Sequence, residues 1–237
     1  MIVRFLSALA VLIPLSLRAQ APESVMVVEA HSGKILVASN ASVKRPVASL
    51  NKIATAVVAV DWATAADQDI ANVQIVAPQT VTLVGGPNPM NLQPGDRLSL
   101  RDALYSAMLG SDNLAALTVA DHVGREILAR RGKNGDPVAA FVAEMGKLAD
   151  AIGMNQTNFV NPHGLDIRNN KGYSTAADIA RLSIYAMRRD AITFIARQPS
   201  RVVTVSGPTG DRKYTVRNTN ELIREQGILG LKSGTTN

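Results

Sequence analysis

The apolar positions along the chain change period several times, and each change marks an element. Ser24 to Ala30 and Ile35 to Ser39 are apolar, β-branched runs separated by His31-Ser-Gly-Lys34, which reads as a β-hairpin. After Pro46 the text turns helical: Ile53, Ala54, Ala56, Val57, Val58 and Val60 form a nearly continuous apolar run suited to a buried helix over about 50–62. Leu104, Met108 and Leu109 fall in step over 100–109 until Gly110 breaks the pattern. Further helices are predicted over 114–130, 137–151 and 176–188, joined by loops such as Gly85-Gly-Pro-Asn-Pro89. Strand-like text returns in Val202-Val-Thr-Val205 and Lys213 to Val216, which flank Gly207-Pro-Thr-Gly210 as a second hairpin, and again near Leu229. Strands at both ends of a helical middle predict an α+β fold in which helices cover a mainly antiparallel sheet. No internal repeat, low-complexity tract or linker divides the text, so residues 23–237 read as one domain.

Composition sharpens this picture. Of 237 residues 46% are hydrophobic but only 4% aromatic, so the predicted core is aliphatic. Met1-Ile-Val-Arg4 is followed by an apolar stretch from Phe5 to Leu17 that Pro14 interrupts. It is shorter than the roughly 20 residues that span a bilayer, and residues 1–19 therefore read as a signal peptide cut after Ala19. Ala19-Gln-Ala21 also has the small-x-small form but would leave Pro22 at the new terminus. Export to the periplasm or the cell exterior follows. The absence of cysteine excludes a disulfide framework and a thiol nucleophile. His31, His122 and His163 lie far apart without two-histidine helical spacing, so neither a metal site nor any other cofactor is expected. The formal charge of +6 comes from scattered basic residues, with Arg130-Arg131 and Arg188-Arg189 placed late in helical stretches where they complement the helix dipole. No nucleic-acid partner is expected.

Three short polar clusters carry the candidate chemistry. In Ser49-Leu-Asn-Lys52 a hydroxyl and an amine three residues apart share one helix face. A serine is a poor nucleophile until a base takes its proton, and a lysine one turn away can be that base if its surroundings lower its pKa. Ser49 would then sit at a helix N-terminus, where backbone N–H groups favour developing negative charge; the plainer alternative is a helix-capping serine beside a solvated lysine. Ser111-Asp112-Asn113 follows the helix that Gly110 ends and by itself reads as a loop or the next cap. Lys232-Ser233-Gly234 follows Gly227-Ile-Leu-Gly-Leu231 and reads as a short strand; a phosphate loop would need Gly directly before the lysine, and Leu231 is there.

The order of the three clusters matches the S-x-x-K, S-x-N and K-[TS]-G set of penicillin-recognising enzymes. The surrounding text, Pro46-Val-Ala-Ser-Leu-Asn-Lys-Ile-Ala-Thr-Ala56, Leu92-Gln-Pro-Gly-Asp96, Asn158-Phe-Val-Asn-Pro-His-Gly-Leu-Asp166, Tyr173-Ser-Thr-Ala-Ala-Asp-Ile-Ala180 and Asn218-Thr-Asn220, resembles the serine D-alanyl-D-alanine carboxypeptidases from about Val25 onward. The resemblance implies a serine β-lactamase/transpeptidase-like fold with the active site in a groove between an α/β part and a helical part. It also implies roles: Ser49 as nucleophile, Lys52 as base, Ser111 as proton relay, and Asn113 as a hydrogen-bond partner of the substrate backbone. Lys232, Ser233 and Thr235 would hold the substrate's free carboxylate, and the N–H groups of Ser49 and Thr235 would form the oxyanion hole. The implied partners are peptidoglycan stem peptides ending in D-Ala-D-Ala and β-lactam antibiotics. His163 borders the implied site, and a loop-bracing role is expected for it.

Asn51 and Ser233 each stand where the family more often has Thr, which alters packing without removing a reacting group. The fold implied has further strands and a helix after the K-[TS]-G strand, so the sequence is expected to be C-terminally incomplete, poorly stable and nearly inactive as it stands. The membrane-associating extension of some relatives is not in the sequence, leaving free and peripheral periplasmic forms open. A class A β-lactamase is disfavoured, because Glu126 and Glu144 lie in helical stretches and lack the E-x-x-L-N context. A D,D-endopeptidase uses the same residues and stays open, as does a non-catalytic member of the family.

Overall fold

The computed structural model describes residues 23–166 and 171–235; the predicted signal peptide lies outside them. At the centre is helix α1, Asn51–Ala65, apolar on every side and buried along most of its length. Helices α2 (Leu100–Leu109), α3 (Asn113–Arg130), α4 (Pro137–Ala151), α5 (Ala176–Met187) and α6 (Asp190–Ala196) all pack against it. Its core partners, among them Leu104, Met108, Val119, Phe141, Met145 and Leu182, are fully enclosed and aliphatic with few exceptions, as the composition predicts.

Local chemistry sets the helix starts. Ser99, Asp112, Asp136 and Thr175 each accept a hydrogen bond from a first-turn amide of α2, α3, α4 and α5 in turn, and Pro137 occupies the opening position of α4. Helices α3 and α4 cross so closely that a Cβ on Gly124 would lie 1.9 Å from the carbonyl oxygen of Pro137, so only glycine fits there.

The strands fall into two separate antiparallel sheets. Among the described residues, strands β1 (Val25–Val28) and β2 (Ile35–Ser39) pair only with each other, Val25 opposite Ser39. The second sheet has the order β3 (Gln74–Val76), β4 (Arg97–Ser99), β5 (Ser200–Gly207) and β6 (Gly210–Arg217). The β5–β6 hairpin is in register from Ser200–Arg217 to Gly207–Gly210. The carboxylate of Asp96, fully buried ahead of β4, is paired with Arg212 of β6.

The α+β class, five predicted helices and both hairpins match the structure to within a few residues. Strands β3 and β4 were not predicted, because three residues are too few to show an alternating pattern. The seven-residue α6 follows α5 after a break at Arg188-Arg189 and merges with it in the sequence. The predicted strand near Leu229 and Lys232-Ser-Gly234 is absent: no strand of the described residues pairs with this segment, which is held by side chains instead.

Candidate active site

Ser49 lies in a single 3-10 turn, Ala48–Leu50, that runs directly into α1. Ala48 is left-handed at φ +43, and the carbonyl of Val47 accepts the Leu50 amide at 3.0 Å. The turn leaves Ser49 half-buried at a groove wall and carries Lys52 one helical step inward, where it has no exposed surface.

Lys52 Nζ makes three hydrogen bonds, to Ser49 Oγ at 2.9 Å, Asn113 Oδ1 at 2.7 Å and the backbone oxygen of His163 at 2.7 Å. Burial pulls its pKa from 10.5 down to about 7; the nearby Lys232 cation pushes the same way, and Asp112 opposes both. A neighbouring base with a pKa near neutrality is the condition that a serine nucleophile requires.

Asn113 is the first residue of α3, and Asp112 fixes it there. Asp112 Oδ1 accepts the amides of Leu114 at 2.9 Å and Ala115 at 3.0 Å, and Oδ2 accepts Ser106 Oγ at 2.7 Å. Burial pushes the Asp112 carboxyl above its ordinary pKa. The second amide face of Asn113 is also used, since Nδ2 donates to the Gly85 carbonyl at 2.8 Å. Gly86 beside it is obligatory: at φ +89, a Cβ there would lie 2.4 Å from Asn113 Nδ2.

Ser111 is half-buried and left-handed at φ +58 on the groove wall. Among the described residues its hydroxyl makes no hydrogen bond to Ser49, Lys52 or Lys232, so the implied relay has no direct link here. The Lys232 ammonium is lowered to about 8 by burial and donates to the Ser233 carbonyl at 2.7 Å. Ser233 Oγ meets Thr219 Oγ1 at 2.7 Å, and Asn220 Nδ2 donates to the Gly230 carbonyl at 3.1 Å. The Asn218-Thr-Asn220 block thus stitches the third cluster to the body, while Gly234 packs over Leu50.

Ser49, Ser111, Asn113, Ser233 and Thr235 line one groove of about 600 Å³, bounded on the other side by Gly164, Leu165 and Asp166. A second cavity of about 580 Å³ between β1 and α5, lined by Val25, Met26, Leu50 and Ile179, contains no serine–lysine pair. The geometry of the first groove suits acyl transfer: a nucleophile at its wall and a buried base in contact with it, with the half-buried Lys232 next to the lining residue Ser233.

The family model for D-alanyl-D-alanine carboxypeptidases matches residues 14–237. The chain belongs to this family. It is 30% identical over 218 residues to a D-alanyl-D-alanine endopeptidase of Escherichia coli and 31% identical to one of Pseudomonas aeruginosa, in each case over 90% of this chain. The chain spans 63% of the length of each of these relatives. A D-alanyl-D-alanine carboxypeptidase structure from Mycobacterium tuberculosis is 30% identical, covers 90% of this chain and 72% of its own, and superposes with a TM-score of 0.73. A Streptomyces DD-transpeptidase structure, 23% identical with a TM-score of 0.76 over 92% of this chain and 82% of its own, shares the fold.

The sequence did not single out the backbone of the 161–165 loop. The expected bracing role of His163 holds for its ring, whose Nδ1 accepts the Leu165 amide at 3.2 Å, but its carbonyl reaches the base itself. Asn51 also has a specific role, donating through Nδ2 to the Asn161 carbonyl at 3.0 Å. The signal that could have pointed here is the group Asn51, Lys52 and Thr55, polar residues inside an otherwise apolar helix; each must find a partner when buried.

Proposed function

We propose that this protein is a serine hydrolase that removes the terminal D-alanine from peptidoglycan stem peptides through an acyl-serine intermediate, and that penicillins acylate the same serine. The observation that carries this reading is the contact of Ser49 Oγ with a buried Lys52 whose pKa lies near 7. A neutral amine has two N–H donors and one lone pair. Asn113 Oδ1 and the His163 carbonyl take the two donors, which leaves the lone pair for the Ser49 proton. Ser49 Oγ then bonds to the carbonyl carbon of the penultimate residue, and the N–H groups of Ser49 and Thr235 serve the oxyanion. The C–N bond breaks as the leaving amine takes a proton, and water subsequently cleaves the ester. Lys232, with Ser233 and Thr235, is suited to the free carboxylate of the substrate. Export to the periplasm, where such peptides are found, belongs to the same reading.

Near-inactivity was expected because the third cluster would lack a neighbouring strand. The contacts of the reacting pair are made elsewhere: Ser49, Lys52, Asn113 and the His163 carbonyl are held by the 48–65, 113–130 and 161–165 segments, and the third cluster adds the Lys232 charge that helps lower the Lys52 pKa. Acylation is therefore expected. The test is labelling by a fluorescent penicillin, wild type beside Ser49→Ala, with intact mass followed over time. A persistent adduct that the mutation abolishes supports the reading; a folded wild type without adduct refutes it.

A second reading, cleavage of D,D cross-links between stem peptides, is supported by the names of the two endopeptidase relatives. Release of D-alanine from a pentapeptide, measured beside cleavage of a cross-linked dimer, separates the two.

A further inference from the structure

The loop that follows α4 makes an unusual set of contacts with α1. Three successive backbone carbonyls are each taken by a polar side chain of that helix: Asn161 by Asn51 at 3.0 Å, Pro162 by Thr55 at 2.6 Å and His163 by Lys52 at 2.7 Å. Successive carbonyls alternate in extended backbone, and in a helix they point along the axis to later amides, so three turned onto a neighbouring helix need another support, which the side chain of Asn161 supplies. Its Oδ1 accepts the amides of His163 at 3.2 Å and Gly164 at 2.6 Å, and its Nδ2 donates to the Leu165 carbonyl at 2.7 Å. One buried carboxamide therefore closes residues 161–165 on themselves.

The base of the loop is tied down as well. Asn158 and Tyr173 exchange backbone hydrogen bonds, as do Arg45 and Ser174, four residues before the nucleophile. Gly164, at φ +86, lies directly on Ala48, where a Cβ would fall 1.8 Å from the carbonyl oxygen.

We propose that Asn161 and Thr55 are positioning residues of the acyl-transfer site: they shape residues 161–165 into a strap that turns the His163 carbonyl onto Lys52 and so fixes the direction in which its amine faces Ser49. The inference rests on the role given to Lys52 above. Neither residue touches the groove; Thr55 is 1% exposed and Asn161 5%. The strap does two things at once. It removes one of the two N–H directions of the neutral amine, and it seals the amine from water, which is the main cause of its low pKa. The other charged or titratable groups acting on Lys52 are Asp112 at the start of α3, Lys232 in the third cluster and the His163 ring, which burial keeps neutral with a pKa of about 4.

The test compares wild type, Asn161→Ala, Thr55→Val and Thr55→Ser in two measurements, after circular dichroism and melting have established that each is folded. The first is the second-order rate of acylation by a fluorescent penicillin. The second is the pH titration of Lys52 followed by the NMR shift of its ε carbon, which needs no reaction. Acylation is expected to fall by about 10- to 100-fold in Asn161→Ala, with a smaller fall in Thr55→Val and near wild-type behaviour in Thr55→Ser. The Lys52 midpoint should move up by about one pH unit or more in the first two, because water reaches the amine. A fall in acylation with the Lys52 midpoint unmoved would reduce both residues to general stability and overturn the proposal, as would wild-type values in both measurements. If Asn161→Ala does not fold, Thr55→Val against Thr55→Ser decides. A wild type that forms no adduct would sink the proposed activity, while the titration would still decide the strap.

Discussion

The strongest quantitative consequence of the site is its pH dependence. Moving the Lys52 pKa from 10.5 to about 7 corresponds to about 5 kcal/mol of differential stabilisation of the neutral amine. At pH 7 about half of the molecules then carry a free base, against roughly one in three thousand for an ordinary lysine. Acylation by penicillin at low concentration should rise with pH to a midpoint near 7, and at pH 5 should run about fifty-fold below its value at pH 7. An alkaline fall should begin near 8, where Lys232 loses its charge, if that charge attracts the carboxylate as proposed above.

The same group marks the stability curve. Between pH 7 and 10.5 the unfolded chain holds a proton at Lys52 that the native state has released, so stability rises with pH across that window. Below pH 7 both states are protonated and the cost, up to about 5 kcal/mol, is fully present. Lys52→Met should abolish labelling and remove this slope together. Stopped-flow acylation from pH 5 to 9, with urea unfolding at the same pH values, tests both halves. A flat rate profile in a folded wild type, or a wild-type slope in the methionine variant, would refute the assignment of a buried, proton-poor Lys52.

Three further substitutions probe the frame around the site. Gly164→Ala forces a Cβ against the Ala48 carbonyl in a left-handed backbone, and should cost about 2–4 kcal/mol in urea unfolding and most of the acylation rate; wild-type behaviour would mean that the loop does not lie on the nucleophile turn. Arg212→Ala leaves the fully buried Asp96 carboxylate uncompensated and should lose about 3–5 kcal/mol, with the labelling rate of the folded fraction unchanged. Tyr105→Phe removes a buried hydroxyl that has no partner among the described residues, so the melting temperature should hold or rise; a loss above about 1 kcal/mol would show that the hydroxyl is bonded.

The parts of this molecule that were legible in its sequence are those that repeat a period. Helix α1 announced itself through Ile53 to Val60, and the β5–β6 hairpin through β-branched runs about Gly207 and Gly210. The positions of Ser49, Lys52 and Asn113 followed from the order of three clusters, and the structure brings those residues into contact. The strand at Lys232 did not form, because a strand is a property of two segments and local text describes only one. The Asp112 cap was legible, whereas its bond to Ser106 depended on how α2 meets α3. Backbone acceptors were the least visible of all: nothing in the letters of residues 161–163 shows where their carbonyls point.

Eleven of the fifteen residues of α1 are buried; the lysine is among them, and the serine stands half-buried in the turn directly ahead of it. Natural variation is therefore steered away from them. A change along α1 disturbs the packing of five other helices before it alters catalysis, so drift in this segment is removed as misfolding rather than tested as new chemistry. The groove wall at Pro87 and the exposed side chains of Leu165 and Asp166 carry no such burden. On the activity proposed above, selection has its room to work there, around a serine whose neighbouring helix the fold holds constant.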